Sequence, residues 1–283
     1  MVHTPGDGPQ QQLDDQAEIL DLDAEVLAEH LAAIVAELPF TASPRQIVDL
    51  GCGTGAGTFA LLDRFPDAEI TAVDSSVVHL QRLQEKACAR GGEARLRTVL
   101  ADLDDPVWPD LGTPDLVWAS ASMHHLAQPD RALRAVRDLL APRGLLAVVE
   151  LAGFPRFLPD DAPEERPGLE GRCHAASDRR HAEHVPHRGA DWGPRLVAAG
   201  FAIEVERVLA LAVEAFRRPA VGAYALSSLR RLRGSVADAL PIEDLVALDG
   251  LLDVEGPRSI LRRADLAVRT ERTVWAARGA NRA

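Results

Sequence analysis

The sequence has few of the features that mark secreted or membrane-spanning proteins. Its three cysteines, Cys52, Cys88 and Cys173, lie far apart and form no C-x-x-C pair, which is typical of a reduced, cytoplasmic protein. No apolar run is long enough to cross a bilayer, and the first residues, MVHTPGDGPQQQ, lack the basic and apolar parts of a signal peptide. We therefore expect a cytoplasmic protein without a membrane partner.

Positive charge is also scarce. The 283 residues include 31 Lys and Arg against 43 Asp and Glu, giving a formal charge of −12, and Lys86 is the only lysine. A surface of this sign does not neutralise phosphates, so nucleic acids and anionic membranes are not expected partners. The apolar fraction of 47% is ordinary and the chain is long enough for a substantial core. These bounds favour a globular protein with a small-molecule substrate.

Glycine, in contrast, is concentrated in one stretch. Residues 46–57 have the sequence QIVDLGCGTGAG, in which a β-branched apolar run precedes Gly51, Gly53, Gly55 and Gly57. This pattern predicts a buried strand, a tight turn and a helix that starts near Thr58. Glycine permits positive φ and close approach of a ligand, and a helix N-terminus presents unpaired N–H groups. The stretch therefore indicates a cofactor-binding turn between a strand and a helix.

The string from Asp49 to Gly55, DLGCGTG, resembles motif I of the class I S-adenosylmethionine-dependent methyltransferases. Two later stretches are similar to the same family: ITAVD ends in Asp74, 19 residues after Gly55, and VLAD ends in Asp102. The resemblance implies S-adenosyl-L-methionine as cofactor, with Asp74 on the ribose, Asp102 at the adenine edge, and Asp49 ordering the glycine loop or binding the ammonium group. The expected cofactor-binding residues are Asp49, Gly51, Gly53, Gly55, Asp74, Ser75, Asp102, Leu103 and Ser120.

Strands and helices alternate along most of the chain. This order predicts an α/β fold with a doubly wound, mostly parallel sheet of seven strands, because βα units are joined by right-handed crossovers. The resemblance implies that residues 201–211 and 272–278 pair as the last, antiparallel strands. Helical spacing predicts one helix over residues 14–38, capped by Asp23, and buried stripes in a later helical insertion at Leu226, Leu229, Ile242, Leu245 and Val246.

We divide the chain into four segments. Residues 1–40 form a tail and a lid helix, and residues 41–152 form the Rossmann-like cofactor-binding core. Residues 153–188 are rich in proline, charge and histidine, and we expect them to be a substrate lid. Residues 189–283 complete the core sheet, with a helical cap inserted at residues 219–263.

Two groups of histidines are candidates for catalysis. His124 and His125 follow the predicted fourth strand, and either ring could take a proton from a hydroxyl, although one could instead pack under the sheet. The lid contains Cys173, His174, His181, His184 and His187, of which His181 is the candidate for catalysis or substrate contact. Imidazoles are common metal ligands, but this spacing matches no established site. We predict no metal and leave a solvated lid as the alternative.

The expected activity is transfer of a methyl group from S-adenosylmethionine to a small molecule, with oxygen or nitrogen favoured over carbon as the nucleophile (EC 2.1.1). Gly51, Gly53 and Ala56 also satisfy the G-x-G-x-x-G/A fingerprint, so an NAD(P)-dependent oxidoreductase stays open. Asp49, two residues before the first glycine, favours the methyltransferase. A protein that binds the cofactor for non-methylating chemistry is a further alternative, and a homodimer is also left open.

Overall fold

The computed structural model describes residues 9–181 and 185–280, and within them the chain forms a seven-stranded sheet. Its strands are β1 (Gln46–Leu50), β2 (Glu69–Asp74), β3 (Leu96–Leu100), β4 (Leu116–Ser120), β5 (Leu145–Leu151), β6 (Phe201–Glu214) and β7 (Ala267–Gly279). The order is β3-β2-β1-β4-β5-β7-β6. The first five strands are parallel, whereas β7 runs antiparallel to both β5 and β6. The predicted doubly wound α/β fold is confirmed.

The helices are α1 (Pro9–Val26), α2 (Ala28–Ala36), α3 (Ala56–Arg64), α4 (Val77–Arg90), α5 (Pro129–Leu139), α6 (Leu169–His181), α7 (Gly193–Ala198), α8 (Ala220–Ser235) and α9 (Ile242–Leu252). Their ends follow local chemistry. The Ser76 side chain caps α4 by accepting from the His79 backbone N–H, and Gly91 ends that helix at φ 66. Within the described residues, no helix is long and apolar enough to span a membrane.

Both faces of the sheet are buried, as parallel strands require. Alternate residues of β4 show this: Trp118 packs with α3 and α4 on one face, whereas Val117 and Ala119 pack with α5 and α7 on the other. The period of two along each strand directs side chains to opposite layers. The carboxyl ends of β1, β2 and β4 are thereby fixed along one edge.

A second layer, the helical cap, is formed by α6, α8 and α9 and packs on the extended ends of β6 and β7. Its core includes Cys173, Leu229 and Leu248, with Val213 from β6 and Val268 from β7. Segment 153–188 thus contains a helix whose buried face is built of small residues, which is why its periodicity is weak in the sequence. The assignment of this segment as a substrate lid stays a prediction.

Three local predictions are wrong. The first helix begins at Pro9 and breaks at Leu27, so residues 14–38 form two helices. Asp23 lies inside α1, where its carboxylate binds other side chains and caps no helix. On α9, Ile242 and Val246 are 66% and 55% exposed, because that helix packs through the adjacent face of Leu245, Leu248 and Leu251.

Candidate active site

A cavity of ≈ 450 Å³ lies along the carboxyl edge of the sheet. This volume is ordinary for a small-molecule site. Its walls are the turn after β1, the carboxyl ends of β2, β3 and β4, the inner face of α1, and Arg272 on β7. In a doubly wound sheet this edge is where ligands bind. The cavity therefore joins residues that are far apart in the sequence.

The glycine turn after β1 has the backbone that the sequence predicts. Gly51 and Gly55 have φ of 67 and 100, in the left-handed region that favours glycine. A Cβ on Gly51 would lie 2.4 Å from the Cβ of Ser122, and one on Gly55 would lie 2.4 Å from Leu83. Gly51 and Gly53 line the cavity, as does Gly57, whereas Gly55 supports the start of α3 without lining it.

Asp49, at the end of β1, is buried beneath this turn. Its Oδ2 accepts a hydrogen bond of 2.6 Å from the Thr58 hydroxyl. Burial raises the pKa of Asp49 to about 7, with the charge of Asp74 adding to the effect and the Thr58 hydrogen bond opposing it. The carboxyl group is therefore close to half protonated at neutral pH, and a cation placed against it would favour the ionised form.

Asp74, at the end of β2, is surrounded by donors. Gly53 N–H donates to Oδ2 at 2.8 Å, and Ser76 N–H donates to Oδ1 at 2.8 Å, where His79 Nδ1 also lies at 3.2 Å. Burial alone would raise the pKa of Asp74, but the bonds from His79, Ser76 and Gly53 outweigh it and lower the pKa. This carboxylate is therefore ionised and held rigidly at the cavity wall.

His79 is a site residue that the sequence did not single out. Its side chain lines the cavity and is buried, and its Nε2 has no hydrogen-bond partner. The signal was its position in the first turn of the helix after Asp74, which places the imidazole beside that carboxylate. Because Nδ1 pairs with Asp74, Nε2 is the free nitrogen of the pair.

Ser75, Asp102, Leu103 and Ser120 all line the same cavity. Asp102 Oδ1 accepts from the backbone N–H of Asp104 at 2.8 Å, which shapes the turn after β3. The Asp104 carboxylate in turn accepts from two N–H groups of residues 127 and 128, each at 2.9 Å. The loops after β3 and β4 are therefore tied together across the mouth of the cavity.

The paired histidines have different surroundings. His124 is buried with Nδ1 2.6 Å from Glu150 Oε2 and does not line the cavity, whereas His125 does. Their ring centroids are 4.1 Å apart. The His125 ring opens toward the cavity, yet the surrounding protein desolvates it. His125 is exposed, but desolvation by the surrounding protein, followed by the effect of His124, outweighs the opposite effect of Glu150 and lowers the pKa of His125 to about 4. His125 is therefore neutral at physiological pH.

The remaining histidine candidates lie elsewhere. His181 is the last residue of α6, but its side chain, like all of His184, is outside the described residues. Cys173 is buried in the helical cap, where burial raises the pKa of its thiol to about 11, and His174 Nε2 lies 3.6 Å from Glu170. Among the residues that the structure describes, no group of three potential ligands could hold a metal ion.

The inner face of α1 closes the cavity, and two carboxylates hold this helix in place. Asp21 pairs with Arg82 at 3.1 Å and with Lys86, both on α4. Asp23 accepts 2.9 and 3.0 Å hydrogen bonds from Nη2 of Arg272 and a 2.7 Å hydrogen bond from the Tyr224 hydroxyl. Sequence reasoning missed Arg272 because 249 positions separate it from Asp23 and no motif surrounds it.

The lining suits S-adenosylmethionine. Within the described residues, His79, Trp118 and Arg272 line the cavity, and each has a buried side-chain nitrogen without a hydrogen-bond partner, namely Nε2, Nε1 and Nε. The same wall carries the carboxylates of Asp49 and Asp74. Ammonium, hydroxyl and amino groups of the cofactor are donors that match such acceptors. The residues present therefore fit the group that the resemblance implies.

Comparison with known proteins gives the same result. Residues 48–146 match a family described as a methyltransferase domain. The chain is 38% identical over 117 residues to a trans-aconitate 2-methyltransferase of Methylobacterium radiotolerans, a match that covers 41% of this chain and 42% of the relative. It is 31% identical over 180 residues to a malonyl-[acyl-carrier protein] O-methyltransferase of Laribacter hongkongensis, covering 59% of this chain and 55% of the relative. The chain thus spans about half the length of these curated relatives.

Among solved structures, a candidate methyltransferase from Bacillus halodurans shares the fold. The TM-score is 0.56 at 16% identity, with 89% of this chain and 99% of that chain covered. These findings favour the methyltransferase over the nicotinamide oxidoreductase that the glycine spacing left open. Residues 48–146 therefore form a methyltransferase domain of the class I, S-adenosylmethionine-dependent type, with its Rossmann-like fold.

Proposed function

We propose that the protein transfers a methyl group from S-adenosylmethionine to an oxygen or nitrogen atom of a small molecule. The observation that carries this proposal is the single cavity with two chemically different ends. Asp74 and Asp102 follow β2 and β3 at one end beside the glycine turn, Arg272 on β7 lies at the other end, and His125 after β4 lies between them. One ligand at each end, meeting above β1 and β4, is the arrangement that a group transfer between two molecules requires.

At the first end, the chain's own residues bind and orient the cofactor. We assign Asp74 and His79 to the ribose hydroxyls, Asp102 and Leu103 to the adenine, and Asp49 with the turn at Gly51 and Gly53 to the amino acid part. When bound, the cofactor supplies an electrophilic methyl group whose leaving group is a neutral thioether. The chain's residues must then only position the acceptor, exclude water and, where the acceptor carries a proton, help to remove it.

At the second end, α1 forms the roof. Leu27 and Leu31 add apolar surface to the wall, and the ion pairs of α1 hold it over the cavity. His125 presents a neutral imidazole to this space. Oxygen is favoured over nitrogen as the nucleophile, because one of the similar relatives is named as an O-methyltransferase. We also propose a cytoplasmic location, in line with three unpaired cysteines.

Binding and turnover test this proposal separately. Calorimetry of the full-length protein with S-adenosylhomocysteine should show binding, and incubation with S-adenosylmethionine and a panel of small acids, phenols and amines should release S-adenosylhomocysteine with at least one of them. Folded protein that takes up neither nucleoside would contradict the proposal. Cofactor binding without product from any acceptor class would instead favour the non-methylating alternative. A shift of reduced nicotinamide fluorescence would favour an oxidoreductase.

A further inference from the structure

The acceptor end of the cavity contains one permanently charged cation. Arg272 on β7 is the only arginine or lysine among the described residues that line the cavity, and its side chain is 8% exposed. In the strand order, β7 lies four strands from β2, a distance of about 19 Å at the usual strand spacing. Arg272 is therefore remote from Asp74 and His79. His125, which follows β4, lines the cavity between these two ends.

Only part of the Arg272 guanidinium is paired. Its Nη2 donates to both carboxylate oxygens of Asp23, whereas its Nε is buried without a partner. A guanidinium binds a carboxylate best through two parallel N–H groups, and Asp23 uses one nitrogen alone. A buried N–H without an acceptor is unfavourable. Arg272 is therefore a cation of the cavity lining whose Nε–H lacks an acceptor oxygen.

We propose that Arg272 binds a carboxylate of the methyl acceptor, which makes the acceptor a small organic acid. This inference rests on the proposed function. The Nε–H group supplies a charge-assisted hydrogen bond and the guanidinium supplies the opposite charge. Asp23 already pairs with this cation, so the carboxylate of the acceptor competes with the Asp23 carboxylate for Arg272 on binding. The other charged side chains on the wall are acidic, among them Asp49, Asp74 and Asp102, so an acid is directed toward Arg272.

The state of His125 agrees with an acidic acceptor. A hydroxyl or amine nucleophile has a proton to lose, and the best base for that task has a pKa near the working pH. Desolvation by the surrounding protein and the neighbouring His124 hold the pKa of His125 at about 4, which makes it a weak base at neutral pH. A carboxylate oxygen is already ionised there and needs no base. The low pKa of His125 is therefore compatible with an acid and less suited to a phenol.

The competing explanation is that Arg272 only fastens α1 through Asp23. Asp21 provides a matched control, because it fastens the same helix from the other side through Arg82 and Lys86 and does not line the cavity. An Asp21→Asn variant loosens α1 without touching the guanidinium. If the only role of Arg272 is to hold α1 in place, Asp21→Asn and Arg272→Gln should change the Kd of the acceptor by similar factors. If it is an anion site, they should differ.

The experiment uses full-length protein saturated with S-adenosylhomocysteine. Calorimetry measures the Kd of trans-aconitate and malonate, each against its neutral amide, for the wild type and for Arg272→Gln, Asp23→Asn and Asp21→Asn. We expect the wild type to bind at least one acid about tenfold or more tightly than its amide, the range of a hydrogen bond to a charged group. Arg272→Gln should abolish this preference and Asp21→Asn should keep it. Asp23→Asn should bind the acid several-fold more tightly, since the competing charge is gone.

Each other outcome counts against the proposal. Acids that bind no more tightly than their amides to the loaded wild type, or not at all, overturn it. So does a preference for acids that survives Arg272→Gln, or one that Asp21→Asn removes to the same extent. Loss of the preference in Asp23→Asn would contradict the competition. If the wild type does not bind S-adenosylhomocysteine, the proposed function fails instead, and the two failures are distinguishable.

Discussion

Asp49 offers a sharp test of the electrostatics beneath the glycine turn. Its carboxyl group is buried below Gly51 and Gly57 and accepts one hydrogen bond, from Thr58. Burial raises its pKa from the ordinary 3.8 to about 7. The perturbation is Asp49→Asn, which keeps the shape and the acceptor for Thr58 but removes the titration. The assay is denaturant unfolding of the cofactor-free protein from pH 4 to pH 8.

The sign follows from proton binding. Between pH 4 and pH 7 the folded protein keeps a proton on Asp49 that the unfolded chain releases, so the free energy of unfolding falls as pH rises and levels off above pH 7. A difference of about 3 pKa units at about 1.4 kcal/mol for each unit amounts to about 4 kcal/mol. Relative to Asp49→Asn, the wild type should therefore lose up to about 4 kcal/mol of stability over this range.

Groups that titrate alike in both proteins cancel in this comparison. Asp21, for example, has a lowered pKa, because the effects of Lys86, Thr54 and Arg82 outweigh burial. Its stabilising effect is present above its unfolded pKa and is lost as pH falls through the lower folded value, in both proteins. The exposed Asp67→Asn variant controls for net charge. A difference between wild type and Asp49→Asn that does not vary with pH would refute the reasoning.

Three further outcomes follow from the same site. Binding of S-adenosylhomocysteine near pH 7 should release a proton from Asp49, seen as a calorimetric heat that depends on the buffer and is absent in Asp49→Asn; a heat independent of the buffer speaks against ammonium contact. His79→Phe should weaken that binding about 5- to 10-fold, since Asp74 loses a donor and the ribose a partner; an unchanged Kd by the same method removes the assignment. With an acceptor that turns over, the initial rate should stay flat from pH 5.5 to pH 8 and, if neutral His125 is required, fall as pH drops through about 4; His125→Ala with wild-type rates throughout would exclude that role.

Much of the sheet could be predicted from the sequence because its signals are local. Strands β4 and β5, Leu116–Ser120 and Leu145–Leu151, are apolar runs bounded by turn residues, the pattern that defines buried strands. The glycine turn could also be predicted from the sequence. In the structure, neighbouring side chains leave no room for a Cβ at Gly51 or Gly55, so these positions require glycine. The predicted cofactor residues converge for the same reason: parallel strands bring their carboxyl ends to one edge.

What the sequence did not reveal depends on contacts between distant elements. The pair of Asp23 and Arg272 spans 249 positions, and neither residue stands in a motif. The apolar residues Ile242 and Val246 fit a helical stripe. Which face of α9 is buried, however, depends on its contacts with the rest of the helical cap and not on the pattern within the helix. The sequence did not single out His79, and its role emerges once Nδ1 is seen against Asp74. The local sequence pattern predicts helices and strands, whereas contacts between distant layers determine which residues come together in the site.

The N-terminal helix connects the two layers through apolar contacts and ion pairs. Residues 1–40 contain nine acids and neither arginine nor lysine, so the cations of the ion pairs that hold α1 over the cavity come from other elements. The outer pair, Asp21 with Arg82, is about one-third exposed on both sides, whereas Arg272 in the inner pair with Asp23 is 8% exposed. Salt screens exposed pairs far more than buried ones. Salt should therefore loosen the edge of α1 over α4 first, next to the nucleoside end, while the contact at the acceptor end persists until an anion reaches Arg272.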